Sequence, residues 1–267
     1  MAAISASMVK ELRDRTGVGM MDCRKALEAA GGDTELAIEH LRKSGIAKAA
    51  TKAGRTAREG RLVNVIRDGA GALAEILCET DFVAKTNEFQ SFAVAVTEKA
   101  LTGFPQDGDI SAAFGEAIRE SLTELIGKIG ENMQVRRVLR WQTTGQLGAY
   151  LHMGGKIGVM VDVEGPADKA LLSDICMHIA AFSPQYITPE QVPAQMVAKE
   201  KEIAAAQVEG KPANMVEKIV AGKINKWYTE VCLMQQPWIR DDKTALAKVA
   251  PQITVKRFVR WQIGEAL

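Results

Sequence analysis

The stretch Cys78-Glu79-Thr80-Asp81-Phe82-Val83-Ala84-Lys85-Thr86-Asn87-Glu88-Phe89 decides how the chain is read. Before it lies an apolar run, Leu73 to Cys78, which predicts a strand. After it, Phe89, Phe92, Ala93 and Val96 fall at i, i+3, i+4 and i+7, one stripe of a helix. Between them an acidic side chain stands beside a large aromatic one. A Phe at a strand-to-helix corner can project from the fold. The neighbouring Asp carries a charge that is costly to bury without a partner. Such a pair suits insertion into another protein. The alternative is that Phe82 is ordinary core and Asp81 caps the next helix.

Working towards the amino terminus, a hairpin is expected from Leu62–Arg67 and Leu73–Cys78 about Asp68-Gly69. Residues 1 to about 45 read as three short helices. The first runs from about Ser5 to Thr16 with Gly17 as its left-handed stop, and the second from about Met21 to Ala30, ended by Gly31-Gly32. The third starts at the N-cap Asp33 and stops at Gly45. Ile46 to Arg61, with Lys48, Lys52, Arg55, Arg58 and Arg61, reads as a helix running into a linker. Clustered cations attract phosphates, so segment 48–61 is a candidate RNA or ribosome contact. It has no interleaved aromatics, and a solvated helix face is the plainer reading.

Towards the carboxy terminus a second stripe, Phe114, Ile118, Leu122, Leu125 and Ile129, predicts one helix ending at Gly130. Val135 to Trp141 returns as a strand. The pattern then recurs: strands Leu147–His152 and Ile157–Val163 flank Met153-Gly154-Gly155-Lys156, and a helix carries Leu172, Ile175, Ile179 and Phe182. The closing strings Val135-Arg136-Arg137-Val138-Leu139-Arg140-Trp141-Gln142 and Val255-Lys256-Arg257-Phe258-Val259-Arg260-Trp261-Gln262 share five of eight residues. That echo predicts two related α+β halves, each an antiparallel sheet with helices on one face. Helices over Pro189–Val208 and Ala213 to about Tyr228, turned by Glu209-Gly210-Lys211-Pro212, make an inserted antiparallel hairpin. Its apolar side is either a self-association surface or internal packing. The expected division is an N-terminal domain and linker helix over 1–55, a core N-subdomain over 56–145, a core C-subdomain over 146–185 and 230–267, and the hairpin over 186–229.

At 267 residues and net charge +1, the chain is no general polyanion binder. It shows no apolar run of membrane-spanning length and no secretory signal. Cys23, Cys78, Cys176 and Cys232 are far apart and lack a CxxC pair, so free thiols in a reducing cytoplasm are expected. His40, His152 and His178 have no ligand at metal-binding spacing. Phosphate-binding glycine loops and a nucleophile elbow are missing. A binding protein without cofactor or metal is the resulting expectation, ahead of an enzyme with a dispersed site.

Two strings carry a resemblance. Thr80-Asp81-Phe82-Val83-Ala84-Lys85 and Thr16-Gly17-Val18-Gly19-Met20-Met21-Asp22-Cys23-Arg24-Lys25-Ala26-Leu27 resemble the two signatures of the bacterial translation elongation factor Ts family, in the family's order. The likeness extends through Met177-His178-Ile179-Ala180-Ala181 and covers nearly the whole chain. It implies an N-terminal module of ubiquitin-associated (UBA) type and a projecting coiled coil at the hairpin. It implies a cytoplasmic guanine nucleotide exchange factor acting on the GTPase elongation factor Tu, with no membrane and no direct nucleic-acid contact. Thr80, Asp81, Phe82 and Val83 would then meet the partner, Phe82 as a wedge and Asp81 against the network supporting its magnesium ion. His152, Leu12, Met20 and Met21 are further contacts by the same resemblance. Structural roles remain open for His152, Met20 and Met21, and core is the favoured alternative for Leu12. Many members of the family continue into a further carboxy-terminal helix, whereas this sequence stops at Gly264-Glu265-Ala266-Leu267, so that contact is expected to be missing.

Overall fold

The computed structural model describes residues 4–208 and 212–266. Three helices come first: α1 (Ala6–Thr16), α2 (Met20–Ala29) and α3 (Thr34–Lys52). The first sheet half follows, with β1 (Glu59–Arg67), β2 (Ala70–Cys78), α4 (Asp81–Ala84), α5 (Asn87–Gly103), β3 (Gly108–Asp109), α6 (Ser111–Ala117), α7 (Arg119–Ile129) and β4 (Gln134–Gln142). The second half holds β5 (Gln146–His152), β6 (Ile157–Glu164), α8 (Lys169–Phe182), α9 (Ala194–Ala206), α10 (Ala213–Val231), β7 (Pro237–Trp238), β8 (Asp241–Ala245), α11 (Leu246–Val249) and β9 (Thr254–Gln262). Sheet orders are β1-β2-β4-β3 and β5-β6-β9, all antiparallel, with β7-β8 as a separate ribbon. The architecture is mixed α+β with an N-terminal helical module.

The three helices close on Val9, Leu12, Cys23, Ala26, Leu27 and Ala37. Ser5 caps α1 by accepting the Met8 N–H, and Gly17 ends it at φ +67°. Asp33 caps α3 by accepting the Leu36 N–H. Leu12 is fully buried here, so the expected partner contact at Leu12 is corrected: it is core and offers no surface. A second correction concerns α3, which passes through Gly45 and runs on to Lys52. Gly45 sits where α3 crosses α7, and a Cβ on Gly127 would stand 3.1 Å from the Gly45 Cα. The glycines allow close helix approach, and α3 gains packing that its propensity alone would not supply.

The second stripe is two helices rather than one. Ile118 (φ −112°, ψ 2°) interrupts it, and the Lys99 ammonium donates to the freed Ala117 carbonyl at 2.9 Å. Pro193, which cannot donate a backbone N–H, separates a short 3₁₀ turn at Pro189–Gln191 from α9. Of the expected hairpin turn, residues 209–211 lie outside the described residues, and Pro212 precedes α10.

The two sheets pack through Leu62, Leu73, Trp141 and Met160, while α5–α7 and α8 cover their outer faces. Along β2, Ala72, Ala74, Ile76 and Cys78 meet the helices, and Val159, Val161 and Val163 do the same along β6. Both central strands are therefore covered on both sides, which explains their nearly continuous apolar character.

The halves also share register. Glu75 lies opposite Arg137 and Gly71 opposite Trp141; Asp162 lies opposite Arg257 and Gly158 opposite Trp261. A bulge follows Glu75 in one sheet and Asp162 in the other. Arg137 lies 4.5 Å over the Trp261 ring, and Arg257 4.7 Å over that of Trp141. Near the end of α5 Arg140 donates to the Leu101 carbonyl (3.1 Å), as Arg260 does to that of Ala180 (3.2 Å) in α8. The arginines of the echo string thus cross-link the sheets and close the helix ends, a reason for both copies to keep them.

Candidate functional site

Thr80 leaves β2 and becomes the N-cap of α4, its hydroxyl accepting the Val83 N–H at 3.3 Å. Thr86 caps α5 by accepting the Phe89 N–H at 3.3 Å and donates to the Val83 carbonyl at 2.8 Å. With both ends tied, the single turn of α4 has a fixed rotation. Ala84 is buried and Val83 packs on the sheet–helix core. Asp81 and Phe82 face outward. Phe82 is 79% exposed, the most exposed of the large apolar side chains among the described residues. Neither alternative read from the sequence applies, since Phe82 is not core and the caps are Thr80 and Thr86 rather than Asp81.

Asp81 is half-exposed and accepts from the Lys85 ammonium at 2.6 Å. That hydrogen bond holds its carboxyl below the usual carboxylate range. Lys156 adds a weaker pull in the same direction. Lys156 belongs to the β5–β6 turn, where it pairs with Glu59 at 2.5 Å, while the Leu62 N–H donates to the Gly155 carbonyl at 2.8 Å. The turn thus rests on the first residues of β1, whose Glu59 lies opposite Cys78. It brings His152, exposed and hydrogen-bonded through Nδ1 to the Tyr150 hydroxyl at 3.0 Å, to the same end of the sheets as the Phe82 corner. Next to it stands Met153, 71% exposed at φ +50°, which sequence reasoning passed over; an apolar residue at a hairpin tip was its only signal.

Met20 and Met21 open α2 and are both exposed, so the helical module presents an adaptable apolar patch there. Glu131 is the other residue that the sequence did not reveal. Its carboxylate accepts from the N–H groups of Glu79 (3.1 Å) and Thr80 (3.0 Å) and from the Thr80 hydroxyl (2.6 Å).

Two of the five cations of the basic segment are paired within the protein. Lys48 pairs with Asp22 at 2.8 Å and Arg55 with Glu79 at 3.5 Å. A cleft of about 850 Å³ lies between α3 and α7, lined by Leu41, Ile46, Phe92 and Leu125 with charged rims. Burial pushes the thiols of Cys78 and Cys176 up to about 12 and that of Cys232 to about 11; none of them lines this cleft. No group of three or more His, Cys, Asp or Glu among the described residues is arranged to hold a metal ion. No helix there is long and apolar enough to cross a membrane.

An aromatic side chain and a carboxylate are held outward on a tied corner, an arrangement suited to docking on another protein. The comparisons name the family. A family model described as "Elongation factor TS" matches residues 79–265, starting at the corner itself. The chain is 48% identical over 277 residues to an elongation factor Ts of Thioalkalivibrio sulfidiphilus, covering 99% of this chain and 93% of that protein. It is 43% identical to one of Symbiobacterium thermophilum (100% and 94% covered) and 48% identical to one of Acinetobacter baumannii (100% and 93%). The chain belongs to the elongation factor Ts family, whose members are non-catalytic nucleotide exchange factors for elongation factor Tu.

Proposed function

We propose that this chain releases GDP from elongation factor Tu by disturbing the partner's magnesium and phosphate site through Phe82 and Asp81. The observation that carries this is the Phe82 ring, 79% exposed on a corner tied at both ends. A GTPase holds GDP through phosphate-cradling groups and a bound magnesium ion. An exchange factor must favour the nucleotide-free partner, and reciprocity makes it weaken nucleotide binding by the same factor. Phe82 wedges between elements of the nucleotide domain. Asp81 exchanges Lys85 for groups that support the magnesium ion, and loss of that cation leaves the diphosphate charge uncompensated. Thr80 and Val83 seat the turn, one as cap and the other as anchor. His152 presses on a second region of the partner, and Met20 and Met21 supply an apolar contact from the helical module.

Residues 1–55 form a UBA-like module with its linker helix, and 56–145 the first core subdomain. Residues 146–185 with 230–267 form the second, and 186–229 a projecting coiled-coil hairpin. Exposed Met196, Ile203 and Met215 on that hairpin support a self-association surface. The setting is the cytoplasm.

The test is stopped-flow release of a fluorescent GDP from elongation factor Tu. The native chain accelerates release; no acceleration at saturating concentration refutes the proposal. Asp81→Ala reduces the rate, and its relative defect shrinks when magnesium is chelated. A defect indifferent to chelator removes the metal-disturbing role. Binding through segment 48–61 to RNA would instead weaken steeply with salt.

A further inference from the structure

The Phe82 corner is held from outside its own element. Besides the three donors that Glu131 accepts, the Glu79 carboxylate accepts the Asn132 N–H at 2.6 Å. Asn132 is buried and donates its amide to the Arg55 carbonyl at 2.6 Å. Two neighbouring segments, Glu79-Thr80 and Glu131-Asn132, therefore exchange carboxylates, each ordering the backbone of the other. Arg55, just beyond α3, joins both through its carbonyl and its ion pair with Glu79. A four-residue helix cannot supply this order itself, because one turn fixes several dihedrals for one hydrogen bond. Its own link, Ala84 N–H to the Thr80 carbonyl, is long at 3.3 Å.

We propose that Glu131 is a positioning residue for nucleotide exchange, its carboxylate aiming Phe82 by clasping the backbone of Glu79 and Thr80. The proposal rests on the reading of Phe82 as the wedge. Glu131 follows the left-handed stop Gly130 (φ +91°), so the end of α7 sets where the clasp sits. Without it three donors turn to water, and the corner samples orientations in which the ring misses its slot. Charge-assisted acceptance by a carboxylate is stronger than acceptance by a neutral amide, so Glu131→Gln retains part of the effect.

The test compares Glu131→Ala, Glu131→Gln, Phe82→Ala and the double variant Glu131→Ala/Phe82→Ala in the stopped-flow assay, with hydrogen exchange of the Glu79 and Thr80 amides alongside. Misplacing a contact group by an ångström costs up to about a hundredfold in rate, so Glu131→Ala should lower the maximal release rate about ten- to a hundredfold. Its half-saturating concentration changes much less, Glu131→Gln falls between, and both amides exchange faster. The double variant is no slower than Phe82→Ala alone, because an absent ring cannot be aimed. Should Glu131→Ala melt below the assay temperature, Glu131→Gln carries the same comparisons. Native maximal rate, unchanged amide protection, or multiplying losses in the double variant would each overturn the proposal. Native release by Phe82→Ala overturns the wedge instead, and is recognisable because the amides of Glu131→Ala still lose protection.

Discussion

Two phenylalanines seven residues apart should respond to truncation in opposite ways. Phe82 is 79% exposed and Phe89 fully buried. An aromatic side chain buries roughly 200 Å² in all, so Phe82 leaves about 160 Å² free and has about 40 Å² covered in the isolated chain. At about 25 cal/mol per Å², Phe82→Ala costs the fold about 1 kcal/mol at most. Docking can recover up to about 4 kcal/mol from the free area, or about three orders of magnitude in stabilising the nucleotide-free complex. That figure is an upper bound, since ordering and desolvation oppose it. Phe89→Ala loses about 3–5 kcal/mol of stability. In a chain of this size each kcal/mol moves the melting temperature by about 2–4 °C, so Phe89→Ala melts about 6–20 °C lower and Phe82→Ala within about 4 °C of native. Thermal melts and GDP release, run on both variants well below either melting temperature, separate the roles. Phe82→Ala should be folded and slow; Phe89→Ala, while folded, should release GDP near the native rate. If Phe82→Ala melts as low as Phe89→Ala, the ring is core. If it melts like the native chain and exchanges like it, the wedge is wrong.

The paired acids of the two sheets should differ in urea unfolding. Glu75 is fully buried and accepts from Arg137, Arg136 and the Gly264 N–H, so Glu75→Ala loses all three charge-assisted bonds and costs about 3 kcal/mol, although Arg137 keeps its pair with Glu265. Asp162→Ala costs less, because Asp162 accepts from Arg257 through one oxygen while its other oxygen has no partner; equal losses refute this. Burial lowers the His178 pKa from 6.5, so the neutral ring's contribution is complete above that pH and is lost as pH falls below it. His178→Phe should flatten the urea midpoint in that window, and an unchanged slope contradicts it. At the helix crossing, Gly45→Ala has room, with its nearest neighbour at 4.0 Å, and should gain up to about 1 kcal/mol. Gly127→Ala meets the Gly45 Cα at 3.1 Å and should melt below Gly45→Ala; the reverse order would contradict the crossing.

The hairpin about Asp68-Gly69 was legible because both turn residues need positive φ, +50° and +75° here, and few residue pairs accept that. Helix ends at Gly17 and Asp33 were legible for similar local reasons. The passage of α3 through Gly45 was not, because the glycine that lets it approach its neighbour, Gly127, lies more than eighty residues away. The break at Ile118 was hidden likewise, since Lys99 on another helix takes the freed carbonyl. In the site, Phe82 was legible as an aromatic beside an acid at a strand-to-helix corner, whereas the capping threonines that turn it outward were not read. Glu131 was not: three hydrogen bonds from residues about fifty positions earlier leave no trace in periodicity.

The shared register explains why the corner exists at all. With Glu75 matched to Asp162 by their bulges, the end of β2 at Cys78 corresponds to Gly165 after β6. In the second half Gly165 to Asp168 lead directly into α8; in the first, Glu79 to Thr86 intervene and carry α4. The Phe82 turn thus lengthens a connection that is short in the matching place of the second half. The seams confirm the different demands on the two halves. Gly165, at φ +96°, packs so tightly against the Gln252 backbone before β9 that no side chain fits, and its carbonyl accepts from the Gln146 side-chain amide at 2.8 Å. The longer first connection cannot close that way. Glu131 and Asn132, which precede β4 as Pro251 and Gln252 precede β9, reach across with hydrogen bonds instead. A frame buried on both faces of its central strands is a stiff base, and stiffness is what an inserted turn needs to hold an aromatic ring in water. With Phe82 as the proposed wedge, exchange activity on this fold rests on one short insertion and the clasp that takes the place of the Gly165 seam.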